Sequence, residues 1–66
     1  MIFSQLKVGS FFEFKGGLFE KVDNVHHNCK VIIGTERFVE GEYYTGQYDE
    51  VIYLGDTIEE AKAALI

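Results

Sequence analysis

Three side chains capable of metal binding, acid–base work or nucleophilic attack stand together in "NVHHNC": His26, His27 and Cys29. Nucleophilic catalysis needs a thiol and an imidazole aimed at one point, and a zinc site needs ligands that converge. Adjacent histidines on an extended chain point to opposite sides, Cys29 is the single cysteine, and no second cluster with zinc spacing follows. The stretch reads as a polar turn between strands, supported by Asn24 and Asn28, with Cys29 a small buried hydrophobe. Gly16-Gly17 and Gly34-Thr35 stand inside apolar runs and not before a helix, so no phosphate-cradling loop is present. Asp49 and Glu50 would do acid–base chemistry only within a cleft, which a chain of 66 residues rarely encloses. The protein is expected to be a non-enzyme with no metal and no cofactor.

The remaining chemical signal is recognition. "EGEYYTGQYDE" sets Tyr43, Tyr44 and Tyr48 among Glu40, Glu42, Asp49 and Glu50. Tyrosine offers a large apolar face with a polar tip at low entropic cost, which enriches it at binding surfaces. The opposing reading packs the three rings on the sheet as strand residues with the carboxylates outward. From Glu36 to Glu60 eight carboxylates stand against Arg37 alone, whereas Met1 to Thr35 carry four lysines and three carboxylates. An acidic surface repels phosphate backbones, so direct nucleic-acid binding is not expected, and a partner with a basic surface is. Glu42, Tyr43, Tyr44, Tyr48, Asp49 and Glu50 are therefore the candidate partner-binding residues.

Short strands must position that stretch. Proline is absent, and glycines separate runs of β-branched and aromatic residues. "SFFEFKGGLFEKVD" reads as a hairpin turning at Gly16-Gly17, with Phe14 opposite Phe19, Phe12 on the same face, and Phe11, Leu18 and Val22 on the other. Both faces are apolar, so one needs a cover, either the C-terminal helix or another protomer. "CKVIIGTERFVE" reads as a second hairpin with a type II′ turn at Gly34-Thr35. It would place Cys29, Val31, Ile33 and Phe38 on one face and Lys30, Ile32, Arg37 and Val39 on the other. Residues 40–48 read as a long hairpin or loop, and "EVIYL" as a last strand.

The period then changes. In "GDTIEEAKAALI" Thr57 and Glu60 are spaced as a capping box, Asp56, Glu59 and Glu60 complement the helix dipole, and Ile58, Ala61 and Leu65 share a stripe. A helix this short does not persist alone in water and must dock. Phe3, Leu6 and Val8 are placed to fold over the core through one helical turn capped by Ser4. The fold class expected is mainly β: one small barrel domain over 1–66 with about five strands and a short C-terminal helix.

A single cysteine, no basic leader in "MIFSQLKVG" and no run near the roughly 20 apolar residues of a membrane span point to a cytoplasmic protein outside the membrane. A domain this small has a marginal core, which favours a homo-oligomer or a bound partner.

Phe3, Leu6, Gly9, Phe12, Gly17, Phe19, Lys21 and Val22, with Asn28 before the second hairpin, form a pattern that resembles small proteins encoded by tailed bacteriophages. Their N-terminus runs Phe, Leu-x-x-Gly, an aromatic strand, a glycine turn and an aromatic-x-Lys-Val strand. The resemblance covers the N-terminal half. It implies an SH3-like β-barrel, action in the host cytoplasm, and a viral protein that binds and inhibits or modulates a host factor, antiviral defence machinery included. Two alternatives stand beside that reading. One is a homo-oligomeric sponge for a small nucleotide signal, its tyrosines stacking on the base and Lys21, Lys30 or Arg37 holding phosphate. The other is a structural component of the virion.

Overall fold

The computed structural model describes residues 1–36, 38, 41–43 and 45–65, and for Glu42 and Tyr43 the backbone alone. Its elements are a 3-10 turn at Phe3–Gln5, strands β1 (Phe11–Phe14), β2 (Gly17–Lys21), β3 (Cys29–Ile33), β4 (Gly41–Tyr43) and β5 (Ile52–Gly55), and helix α1 (Ile58–Leu65). All pairings are antiparallel, in the order β4-β3-β2-β1-β5. Four strands make the body of the sheet, and the three-residue β4 lies along the outer side of β3. Among the described residues no ladder joins β4 to β5, so the sheet is open where a closed barrel was expected.

The first hairpin forms with its faces as anticipated and its turn one residue earlier. Phe12 pairs with Phe19 and Phe14 with Gly17, which leaves Lys15-Gly16 as the two-residue turn. Both turn residues have positive φ, 50° and 88°, the requirement of a type I′ turn. Moving the turn by one residue shifts the pairing by two, and since side chains alternate with period two the faces are unchanged. Gly17 is needed in the strand itself, because a Cβ there would meet Phe19 Cε1 at 3.0 Å and the Ile33 carbonyl oxygen at 3.3 Å. Lys15 holds a left-handed conformation that costs a side chain about 1 kcal/mol, partly offset by its ammonium 5.3 Å from the Phe14 ring centroid. Lys15→Asn should therefore stabilise the protein by about 0.5 kcal/mol, and Gly16→Ala should destabilise it by about 1 kcal/mol. Urea denaturation with an unchanged m-value checks both.

Two apolar clusters sit on the two faces of this hairpin. Phe12, Phe14 and Phe19 join Phe3, Leu6, Cys29, Val31, Phe38 and Val51 on one side. Phe11 and Leu18 meet Ala61 on the other, with Ile32, Leu54 and Ile58 packed against them. The helix thus covers the second face from within the chain. Its N-terminus is held by Thr57, whose hydroxyl accepts from Glu60 N and donates to Glu60 Oε1, each at 3.2 Å. The helix comes so close to β5 that a Cβ on Gly55, at φ +145°, would stand 2.8 Å from Glu60 Cβ.

The second hairpin differs from expectation. β3 pairs with β4 as Cys29 with Tyr43 and Val31 with Gly41, so the tight turn at Gly34-Thr35 is replaced by a longer connection. Within it Thr35 N donates to Phe38 O at 2.9 Å and Phe38 N to Thr35 Oγ1 at 3.2 Å. Phe38 reaches the core from this connection and not from a strand. Ile32 packs on the helix side, the face opposite Val31 to which its parity assigned it, whereas Ile33 leaves the core face and is exposed where the β2–β3 ladder shifts register between Leu18 and Phe19. Arg37 and Val39, placed on the outer face by the sequence reading, lie outside the described residues.

At the N-terminus Phe3 and Leu6 are buried, but Val8 is exposed. Ser4 lies inside the 3-10 turn and does not cap it; its backbone N–H donates to Gln47 O. The segment is fastened by Lys21, whose ammonium donates to Leu6 O at 2.7 Å and Phe3 O at 3.1 Å and lies 4.6 Å from the Phe3 ring centroid.

Candidate functional site

The tyrosine-rich stretch resolves into a strand and a clamped turn. After β4, Thr45 is buried, and the Asn28 side-chain amide binds its backbone in both directions: Thr45 N to Asn28 Oδ1 at 2.8 Å, and Asn28 Nδ2 to Thr45 O at 2.7 Å. Residues 46–49 then form a β-turn closed by Asp49 N donating to Gly46 O, while Gly46 N donates to Asp49 Oδ2, both at 3.1 Å. A Cβ on Gly46 would press on that carboxylate at 3.1 Å. The N-terminal segment braces the turn from beside it: Ser4 N donates to Gln47 O and Phe3 N to Asp49 O, and Met1 O accepts from Val51 N. With Thr45 and Val51 buried at its ends, the third turn residue, Tyr48, projects into solvent and is 83% exposed.

Beside this turn lies an open hollow between the β1–β2 turn and the start of β5, lined by Glu13, Lys15, Asp49, Glu50 and Ile52 over Phe14. Three of these residues are carboxylates and one is a lysine. The Asp49 carboxylate is committed to Gly46 N, whereas the Glu50 side chain is 82% exposed and, among the described residues, pairs with the Met1 amino nitrogen at 3.3 Å. Such an exposed pair adds little to stability and leaves the charge available to a partner.

Tyr53, to which the sequence reading assigned no role, follows Ile52 in β5 but lines a different hollow, with Met1, Gln5, Lys7 and Asp56. Ile52 and Tyr53 of β5 are 58% and 44% exposed. The Tyr53 hydroxyl donates to Asp56 Oδ1 at 2.7 Å, and this bond, reinforced by partial burial and the charges of Asp56 and Glu60, pushes the phenol above its usual range. The available signal was the flanking of "VIYLG" by Glu50 and Asp56, an apolar strand with acid at both ends.

Of the other candidates, Tyr44 and Arg37 lie outside the described residues, and Glu42 and Tyr43 are placed by backbone register alone, opposite Lys30 and Cys29. Lys21 and Lys30 do not converge. They pair with Cys29 and Glu20, neighbouring positions of one ladder that face opposite sides, and Lys21 is already donating to two carbonyls. His26 is exposed, its backbone N–H bound to Asn24 Oδ1 at 2.9 Å. Cys29 points into the core with Sγ 3.2 Å from Thr45 Oγ1, and burial raises its thiol despite the hydrogen bonds from Thr45 that act the other way. Among the described residues no three His, Cys, Asp or Glu side chains are gathered to hold a metal ion, and no helix is long and apolar enough to cross a membrane. No protein-family model, curated protein or solved structure matches the chain.

Proposed function

We propose that this protein is a small SH3-like binding module of bacteriophage type that inhibits or modulates a host protein through an acidic, tyrosine-bearing surface. On this reading the N-terminal segment, bridged at Ile2 to Glu50 before β5, takes the place of a strand that would close the barrel. The observation that carries the reading is Tyr48, exposed on a turn that is braced by the chain on both sides. A large aromatic displayed on a fixed backbone has only its two side-chain torsions to order on binding, which suits an interface anchor. Asp49 and Glu50, which follow it in the chain, and Glu13, which lines a hollow with them, select a partner with a basic face and speed its approach at low salt.

Capture from host lysate with the parent protein and with Tyr48→Ala, followed by titration of the purified partner, tests this. Tyr48→Ala is expected to lose about 2 kcal/mol of binding while its unfolding free energy stays within about 0.5 kcal/mol of the parent. Undiminished binding by the variant would move the functional surface elsewhere.

A further inference from the structure

β5 ends the sheet. It pairs with β1 on one side, through a ladder that shifts register between Phe11 and Phe12; among the described residues the backbone hydrogen bond on its other side falls at its approach, where Val51 N donates to Met1 O, and Met1, Gln5 and Lys7 line a hollow with Tyr53 and Asp56. An open strand edge is a template for another strand, which proteins blunt with lysine, proline, a cover, a bulge or a short strand; β5, four residues long and paired through an irregular ladder, has the last two and neither of the first two. Ile52–Gly55 reads Ile-Tyr-Leu-Gly and has no lysine and no proline, and the Ile52 and Tyr53 side chains stand exposed. Glu50 precedes the strand, Asp56 follows it, and Glu13 pairs with Ile52 across the ladder.

We propose that the outer edge of β5 receives an extended lysine- or arginine-rich segment of the partner as an added strand. Main-chain hydrogen bonds would supply affinity and the flanking carboxylates the choice of a cationic chain. Charge decides against a second copy of this protein as the occupant. An antiparallel β5–β5 pair centred on Tyr53 would bring Glu50 of each copy against Asp56 of the other, in a chain of net charge −5. The inference rests on the proposed binding of a basic partner and specifies its mode.

A ten-residue peptide alternating lysine and threonine, titrated into the intact protein, is the probe. In an added strand alternate residues present their amide groups to the neighbour. Methylating the backbone nitrogens of one alternate set should therefore weaken binding at least tenfold, and methylating the other set should change it less than twofold. Amide hydrogen exchange within residues 52–55 should slow on addition of the unmethylated peptide. Equal effects of the two methylated sets, no binding at millimolar peptide, or a dimer that occupies the β5 edge in sedimentation would each overturn the proposal. If Tyr48→Ala abolishes host-protein binding while the two methylated peptides behave alike, the acidic tyrosine surface stands and strand addition falls. The opposite pattern removes the Tyr48 surface and leaves the edge.

Discussion

Phe19→Ala is expected to lower the unfolding free energy by about 4 kcal/mol, at the upper end of what truncating a buried aromatic costs. Phe19 is fully buried on β2, with the rings of Phe12, Phe14 and Phe38 centred 5.4, 6.2 and 5.3 Å from its own. Phe38 and Phe14 touch each other at 6.0 Å, so removing Phe19 opens a gap bordered by three rings. Collapse into that gap is obstructed, since Phe12 is stacked from the neighbouring strand and also meets Phe3 at 5.4 Å. For a chain of 66 residues the whole stability is on the order of 3–10 kcal/mol, so the alanine substitution removes from about two-fifths to all of it. Phe19→Leu keeps part of the volume and should lose about 1.5 kcal/mol, which keeps the comparison measurable. Guanidinium melts of both variants check the ordering, and a loss under about 2 kcal/mol for alanine would mean that the aromatic cluster repacks freely.

All six phenylalanines are buried, while Tyr48 and Tyr53, the tyrosines whose side chains are described, are exposed. The sequence reading had left the tyrosines open between strand packing and contact; the division follows from the hydroxyl, which lets a tyrosine ring keep a polar tip in water that phenylalanine lacks. The faces of the first hairpin were legible in the sequence: parity of position fixes the face whether the turn falls at Lys15-Gly16 or Gly16-Gly17. The turn itself misled because glycine, not lysine, is the usual occupant of positive φ, and here Lys15 takes one of the two positions. In β3 the same parity argument failed at Ile33, since the ladder shifts register between Leu18 and Phe19 and no residue type announces it.

The site was legible to a different degree. Carboxylates and tyrosines at 40–50 marked a surface, yet nothing in their pattern separated Tyr48, at a turn tip, from Tyr43, in β4. The separation comes from Thr45, a short polar residue that is buried through Asn28, seventeen positions earlier in the chain. Tyr53 escaped notice because a strand at the edge and a strand at the centre share one local composition, and only the sheet order tells them apart.

Asn28→Ala is the second large effect, expected to cost about 3 kcal/mol, because it removes partners from two backbone groups that water reaches poorly. Thr45 is 1% exposed, and both its N–H and its C=O are bound by the Asn28 amide. The amide acts as a peptide group in profile and carries the β3–β4 pairing past the last residue of β4. Asn28→Asp keeps the acceptor for Thr45 N–H, loses the donor and sets a carboxylate against the Thr45 carbonyl. If burial and that carbonyl outweigh the Thr45 N–H, which favours the charged form, the carboxyl is raised above its unfolded value, and the stability of the aspartate variant relative to the parent should be greatest below the ordinary carboxylate range. It should fall as pH rises through the raised value, since only the protonated acid restores the donor. The effect should also reach the binding surface, since Thr45 anchors the chain immediately before the Gly46–Asp49 turn that displays Tyr48. Urea melts of Asn28→Ala, with amide exchange at Gly46 and Asp49 followed in the folded fraction, check both parts. A loss below about 1 kcal/mol with unchanged exchange would show that water replaces the amide at little cost, and that the turn is held by its bonds to the N-terminal segment instead.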